Sequence, residues 1–277
     1  MTVVEGIAPA KVNLTLHVTG RRNDGYHLLD SLVVFADFGD RITVRPATVT
    51  RLTVAGPMAA GVPADADNLV MKAAALIGQC ADITLEKHLP SAAGIGGGSS
   101  DAAATLRALA EMADVALPRD VLSLGADVPV CLLTGAARMR GIGEDVIPLA
   151  GVPPLHAILV NPRVPVATPT VFAGLEQRDN PAMPDPLPEW SEPADFIAWL
   201  ATQRNDLQGP AIAAEPIIAE VLDTLLDTPG CQLARMSGSG ATCFGLYDSD
   251  EHAAAAAGRL AEDCPGWWVR ATCLNAG

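Results

Sequence analysis

Positive charge is scarce in this chain: 18 Lys and Arg residues stand against 32 Asp and Glu, a formal net charge of -14. A partner held through a phosphate backbone needs the opposite balance, because its affinity comes from cations that displace condensed counterions. The charge argues against nucleic acid and leaves a phosphorylated small molecule open, since a local cradle can hold phosphates inside an acidic protein. Paired cysteines are missing too. Cys80, Cys131, Cys231, Cys243, Cys264 and Cys273 form no Cys-x-x-Cys pair and have no paired histidines, so metal and redox motifs are absent. They read as buried free thiols in a reducing cytoplasm. No run approaches the ~20 apolar residues of a membrane span, and the N-terminus lacks the basic-then-apolar layout of a secretory signal. The expectation is a cytoplasmic protein without a membrane partner. Gly-Lys does not occur, which removes a Walker A loop; neither glycine cluster fits G-x-G-x-x-G, and no serine sits in G-x-S-x-G.

With 277 residues, 49% of them hydrophobic, the chain has core enough for two domains. Pro148 and Pro153-Pro154 mark the expected boundary, dividing it into 1–152 and 153–277. The stretch that organises the first part is Pro90, Ser91, Ala92, Ala93, Gly94, Ile95, Gly96, Gly97, Gly98, Ser99 and Ser100. An alternating strand over Asp82 to Lys87 leads into it, and a helix from about Ser99 to Val115 follows, with Ala102, Leu106, Leu109 and Ala113 on one face. Glycines let a backbone approach a ligand closely, and the helix start offers unpaired N–H groups and a positive dipole end. Strand, loop and helix together read as an anion cradle. Ser99, Ser100 and Asp101 also suit an ordinary helix cap, although a cap does not need four glycines before it.

From Ala10 to Gly20 the chain alternates, Val12, Leu14, Leu16 and Val18 against Lys11, Asn13, Thr15 and His17, the pattern of a half-buried strand. Lys11 and Asn13 then read either as solvent-facing residues or as site groups. Asn23-Asp24-Gly25 makes a turn before Tyr26-His27. Strands are expected over Leu28 to Phe38, Asp40 to Arg45 and Arg51 to Ala55, and a helix from Asp65–Asn68 to Gly78. Asp127 stands in a turn-like segment, where an aspartate is often only an Asx turn. Strand pieces are expected over Arg138 to Ile147, a strand over His156 to Asn161, and a short helix over Thr168 to Leu175. Five prolines make Asp179 to Pro193 an irregular excursion. The remainder reads as helices near Ala194 to Thr202 and Pro216 to Asp227, then strand, Ser237-Gly238-Ser239-Gly240 turn, strand, helix and strand.

The pattern Pro-x3-Gly-x-Gly-Gly-Gly-Ser-Ser from Pro90 to Ser100 resembles the glycine loop of the GHMP kinases, a superfamily of small-molecule ATP kinases. Pro9-Ala10-Lys11-Val12-Asn13-Leu14, Gly125-Ala126-Asp127-Val128-Pro129 and Ser237-Gly238-Ser239-Gly240-Ala241 match its other blocks, so the resemblance spans nearly the whole chain. Two departures stand out: Ala92-Ala93 where glycines are common, and Ser100-Asp101 in place of the usual small residues. The resemblance implies an α+β, two-domain kinase: an N-terminal domain of the ribosomal-protein-S5 type carrying the cradle, a smaller ferredoxin-like C-terminal domain, and an active site between them. It implies ATP and Mg2+ as cofactors, with Pro90 to Ser100 on the triphosphate and Asn68 at the adenine. Asp127 would be the base that takes the acceptor's proton, and Lys11 would pair with it and stabilise the transferring oxygens. Arg22-Asn23-Asp24-Gly25-Tyr26-His27 points to the branch whose acceptor is CDP-methylerythritol. There Tyr26 and Phe172 would flank the cytosine, His27 would hydrogen-bond it, and Asn13 and Thr168 would contact polar groups; Phe172 as plain helix core is the alternative. The enzyme would work as a monomer or weak homodimer. The rival readings are a homoserine or mevalonate kinase of the same superfamily, for which Gly25-Tyr26-His27 has no use, and a noncatalytic nucleotide- or RNA-binding module on the same fold.

Overall fold

The alternating stretch near the start forms two strands, β1 (Val4–Asn13) and β2 (His17–Arg21), and from Ala8 to Val18 both faces are buried rather than one. Lys11, Asn13, Thr15 and His17 are as deeply covered as the apolar residues between them. Alternation separated the chemistry of the two faces, not their exposure. Most polar groups on the covered face have a partner: Asn13 donates to Ser31 Oγ at 2.7 Å, Thr15 Oγ1 accepts the Leu32 N–H at 2.9 Å, and His17 Nδ1 lies 3.1 Å from the Pro181 carbonyl, while His17 Nε2 is buried with no partner among the described residues. A buried polar group without such bonds would cost about 1–3 kcal/mol.

The computed structural model describes residues 3–276 and divides into two units: one from residues up to Lys11, Phe38–Ser91 and Gly96–Thr134, the other from Val12–Asp37, Ala92–Ile95 and Gly135 onward. No single cut near residue 152 separates them. The chain passes through both because strand β3 (His27–Pro46) continues where two strands were expected, its first half in one unit and its second in the other. Pro148, expected to mark a boundary, ends a hairpin strand instead.

In the first unit the second half of β3 pairs antiparallel with β5 (Ala81–Glu86), Ile42 opposite Leu85 and Val44 opposite Ile83, and β4 (Arg51–Ala55) lies parallel to β5 on its other side. Helices α1 (Leu69–Ile77) and α2 (Gly97–Ala113) complete a core of Ile42, Val44, Val70, Ile83, Leu85, Ala104, Ala108 and Leu109. Burying each larger side chain contributes roughly 1.5–3 kcal/mol. The Asn68 side chain caps α1 by accepting the Val70 N–H, and Gly78 ends it in the left-handed conformation. Helix α2 begins two residues before Ser99, with no side-chain cap: Gly96 occupies the cap position at φ +61°. Ser99, Ser100 and Asp101 are therefore inside the helix, correcting their reading as caps. Helix α3 (Val128–Leu133) follows Asp127.

In the second unit β6 (Ala137–Gly141) pairs with the first half of β3 and forms a hairpin with β7 (Asp145–Pro148). Beyond it come β8 (Leu155–Asn161), α4 (Thr168–Ala173), α5 (Pro193–Ala201), α6 (Gln208–Ala214), α7 (Ile217–Leu226), β9 (Cys231–Met236), β10 (Cys243–Tyr247), α8 (Asp250–Asp263) and β11 (Trp268–Leu274). The strands lie in the order β11-β8-β10-β9, all antiparallel. With α7 between β8 and β9 and α8 between β10 and β11, this is the ferredoxin-like β-α-β-β-α-β arrangement. Among the described residues no helix is long and apolar enough to cross a membrane.

The proline-rich excursion is pinned from below. Arg138 meets Asp30 with two bonds of 2.7 Å and donates to the carbonyls of Met183 and Pro184, while the Met183 N–H donates to Asp30. Both ions are buried. Arg138→Met is expected to lower unfolding free energy by about 3–5 kcal/mol, because it leaves the buried Asp30 carboxylate to the Met183 N–H and to the more distant Arg140 at 3.8 Å. Urea unfolding checks this, and Arg138→Met with Asp30→Asn should recover a large part of the loss.

Candidate active site

Asp127 immediately precedes α3. An aspartate there ordinarily accepts an N–H from the helix's first turn, but its carboxylate makes no cap bond. Pro129, near the helix start, has no N–H to offer. The carboxylate instead meets Lys11 of β1: Lys11 Nζ donates to Asp127 Oδ2 at 3.0 Å. The lysine side chain is 4% exposed and the aspartate 29%, so the ammonium is covered and the carboxylate stays open to a ligand. This geometry favours a functional carboxylate over an Asx turn.

The cradle reaches the same pair. Gly96 has φ +61°, and a Cβ there would stand 3.1 Å from Lys11 Cε and 3.7 Å from Asp127 Oδ2. Glycine adopts that backbone conformation without steric penalty, and any Cβ would press on the Lys11 side chain. A Cβ at Gly125 would lie 3.8 Å from Ser99 Oγ, which places Ser99 against the segment that carries Asp127. The Ser100 hydroxyl is buried with no partner among the described residues. Asn68 is engaged at the start of α1, Nδ2 on the Pro63 carbonyl at 2.6 Å and Oδ1 on the Val70 N–H at 2.8 Å. A Cβ at Gly98 would be 3.5 Å from Leu69 Cδ1, so the start of α1 adjoins the first turn of α2.

The loop residues Ala92–Ile95 belong to the second unit, where the second glycine turn holds them. Ser237 Oγ donates to the Gly94 carbonyl at 2.9 Å and accepts the Asn13 N–H at 3.1 Å, and the Thr242 N–H donates to the Ala93 carbonyl at 3.1 Å. Ala92 sits at φ +50°, a conformation glycine adopts without the steric penalty alanine bears; Ala93 is buried. Sequence reasoning matched Ser237 to a family block but gave it no contact.

His27 stacks on Phe172 of α4, with ring centroids 4.8 Å apart and planes 21° from parallel. Phe172 is thus tied to a neighbouring ring as well as to the core. Tyr26, expected to share the base with Phe172, is 62% exposed. Burial, with Arg21 and Arg178 nearby, holds the His27 imidazole below its ordinary value, and its Nε2 has no partner among the described residues. A neutral ring with a bare nitrogen can hydrogen-bond a heterocycle. Thr168 Oγ1 lies 2.8 Å from Ser239 Oγ.

Residues 68–138 match the GHMP kinases N terminal domain model, and residues 189–266 match the GHMP kinases C terminal model. A curated relative from Dinoroseobacter shibae, a 4-diphosphocytidyl-2-C-methyl-D-erythritol kinase, is 60% identical over 98% of this chain and 95% of its own. A crystal structure of 4-(cytidine 5'-diphospho)-2C-methyl-D-erythritol kinase superposes with a TM-score of 0.80 at 36% identity, covering 99% of this chain and all of that one. Homoserine kinase from Cytophaga hutchinsonii, at TM-score 0.71 and 19% identity over 99% of this chain and 96% of its own, shares the fold.

Proposed function

The chain belongs to the GHMP kinases and is an ATP-dependent small-molecule kinase of the 4-diphosphocytidyl-2-C-methyl-D-erythritol kinase kind, and from that premise we propose that Asp127 is the base of its transfer step and Lys11 the partner of that base. The acceptor is 4-diphosphocytidyl-2-C-methyl-D-erythritol, phosphorylated at its 2-hydroxyl, a step of the non-mevalonate route to isoprenoid precursors. A hydroxyl is a weak nucleophile. Asp127 accepts its proton as the oxygen approaches the γ-phosphorus, and Lys11 presents an ammonium to the oxygens that gain charge. The observation that carries this reading is the Asp127 carboxylate turned away from its own helix, 3.0 Å from Lys11 and beside Gly96.

Pro90 to Ser100 hold the triphosphate through the N–H groups at the start of α2. Two features fit that ligand: the space beside Gly96 that a Cβ would fill, and the unpartnered Ser100 hydroxyl. Asn68 borders the adenine. Mg2+ would be held chiefly by the substrate phosphates. Mg2+ bound there neutralises charge on the phosphate oxygens. On the acceptor side Phe172 and Tyr26 offer flat faces to the cytosine, neutral His27 hydrogen-bonds it, and Asn13 and Thr168 meet polar groups. The enzyme works in the cytoplasm as a monomer or weak homodimer.

Incubation with ATP, Mg2+ and, separately, CDP-methylerythritol, homoserine and mevalonate tests the acceptor. ADP release is expected with CDP-methylerythritol alone. Release only with homoserine or mevalonate would overturn the assignment.

A further inference from the structure

Three ionisable side chains lie buried against the first turns of α2 and take no part in the transfer described above. Lys87, just past β5, donates its ammonium to Asp40 of β3 and, at 2.7 Å, to Asp101 of α2. None of the three side chains is more than 5% exposed. Asp40 is fully engaged, Oδ2 with Lys87 and Oδ1 with the N–H groups of His88 and Leu89. Asp101 is not: Oδ2 accepts from Lys87, while Oδ1 is buried with no partner among the described residues.

One ammonium therefore faces two carboxylates, and with all three ionised an uncancelled negative charge is left in the interior, an expensive arrangement. Its location makes the sign matter. Asp101 is the fifth residue of α2, and a Cβ at Gly97, the first, would stand 3.7 Å from Lys87 Nζ. This helix end offers N–H groups and a positive dipole to an anion, and an ionised Asp101 opposes both.

Among the described residues, none near Asp101 supplies a second cation. Lys72, the one titratable residue of α1, is exposed. Cys131 of α3 is a thiol that burial pushes up, His88 turns to Glu86, and Lys11 is paired with Asp127. Burial disfavours the Lys87 ammonium, but Asp101 and Asp40 more than reverse that and raise its pKa. Asp101 is pushed up to about 8, chiefly by burial, with Lys87 opposing and Asp40 reinforcing the rise.

Resting on the kinase reading, we propose that Asp101 is a positioning residue that serves the nucleotide site as a neutral acid: Lys87 and one proton together cancel the two buried carboxylates, and release of that proton to solvent turns the start of α2 against the phosphates. The same proton ties stability to pH. An acid held above its unfolded value gives stability that is full below the unfolded pKa, ~3.9, and is lost as pH rises through about 8.

Calorimetric titration with a non-hydrolysable ATP analogue and Mg2+, from about pH 7 to about pH 9.5, tests the proposal. The wild-type Kd is expected to rise about tenfold over that range, and the Asp101→Asn Kd to change by less than about twofold. A purely structural role for Asp101 would shift affinity without altering its pH dependence. If Asp101→Asn does not fold, Asp40→Asn removes the other carboxylate and should flatten the profile in the same way. Equal pH dependence in the wild type and the folded variant would overturn the proposal and leave the kinase reading intact. Absence of nucleotide binding by the wild type at every pH would overturn both.

Discussion

Asp127→Asn is expected to fold, bind nucleotide and lose about 10³-fold in kcat, within the range a general base contributes. The substitution keeps the shape of the side chain and an oxygen that can accept from Lys11 Nζ, now 3.0 Å away. What it removes is the capacity to take a proton. Because the carboxylate makes no cap bond, α3 loses nothing that its own backbone supplies, so the variant should fold, with Tm lowered by the countercharge that the covered Lys11 ammonium loses. The measurements are kcat by coupled ADP detection, nucleotide Kd and Tm. Retention of more than about a tenth of wild-type kcat would remove Asp127 from the role of base, since a lost general base costs more than that.

The parts of this site that were legible in the sequence are those where local chemistry is unusual. Four glycines between an alternating strand and an alanine-rich helix have few structural uses, and β5, the loop and α2 stand where that pattern put them. The polar face of β1 and β2 was legible as a pattern but not as a buried surface, because periodicity reports which residues share a face and not what covers it. Gly39 misled more directly. It looked like a break between two strands, since glycine is a poor strand former, yet β3 continues through it, packed so closely that a Cβ there would stand 2.1 Å from the Ala8 carbonyl oxygen, and Lys87 and two backbone N–H groups satisfy the adjoining Asp40 carboxylate. Gly209 and Pro210 hid α6 in the same way. Contacts between Asp40, Lys87 and Asp101, or between Ser237 and Gly94, join residues far apart in the chain. No local signal encodes such a pairing, so an isolated serine or lysine gave no sign of its partner.

That long-range closure of one glycine loop on another is where a single methyl group should disturb the fold and the nucleotide loop together. A Cβ at Gly94 would lie 2.4 Å from the Ser237 carbonyl oxygen and 2.8 Å from both the nitrogen and the oxygen of Gly240. All three are backbone atoms, so no side-chain rotation relieves the clash. The turn faces back the same way, with a Cβ at Gly238 standing 2.7 Å from the Gly94 oxygen. Gly94→Ala is expected to cost about 2–5 kcal/mol, roughly 1–3 from overpacking and 1–2 from the left-handed backbone. The nucleotide KM should rise with it, because the displaced segment continues directly into Gly96. Gly61 isolates the packing contribution: its φ of +77° nearly equals the +75° of Gly94, but a Cβ there meets nothing within 4 Å. Gly61→Ala should therefore show only the backbone penalty, about 1–2 kcal/mol. Urea unfolding of the two variants side by side measures the difference; equal losses would mean that the two loops do not constrain each other, and that the Ser237 bond to Gly94 holds nothing in place.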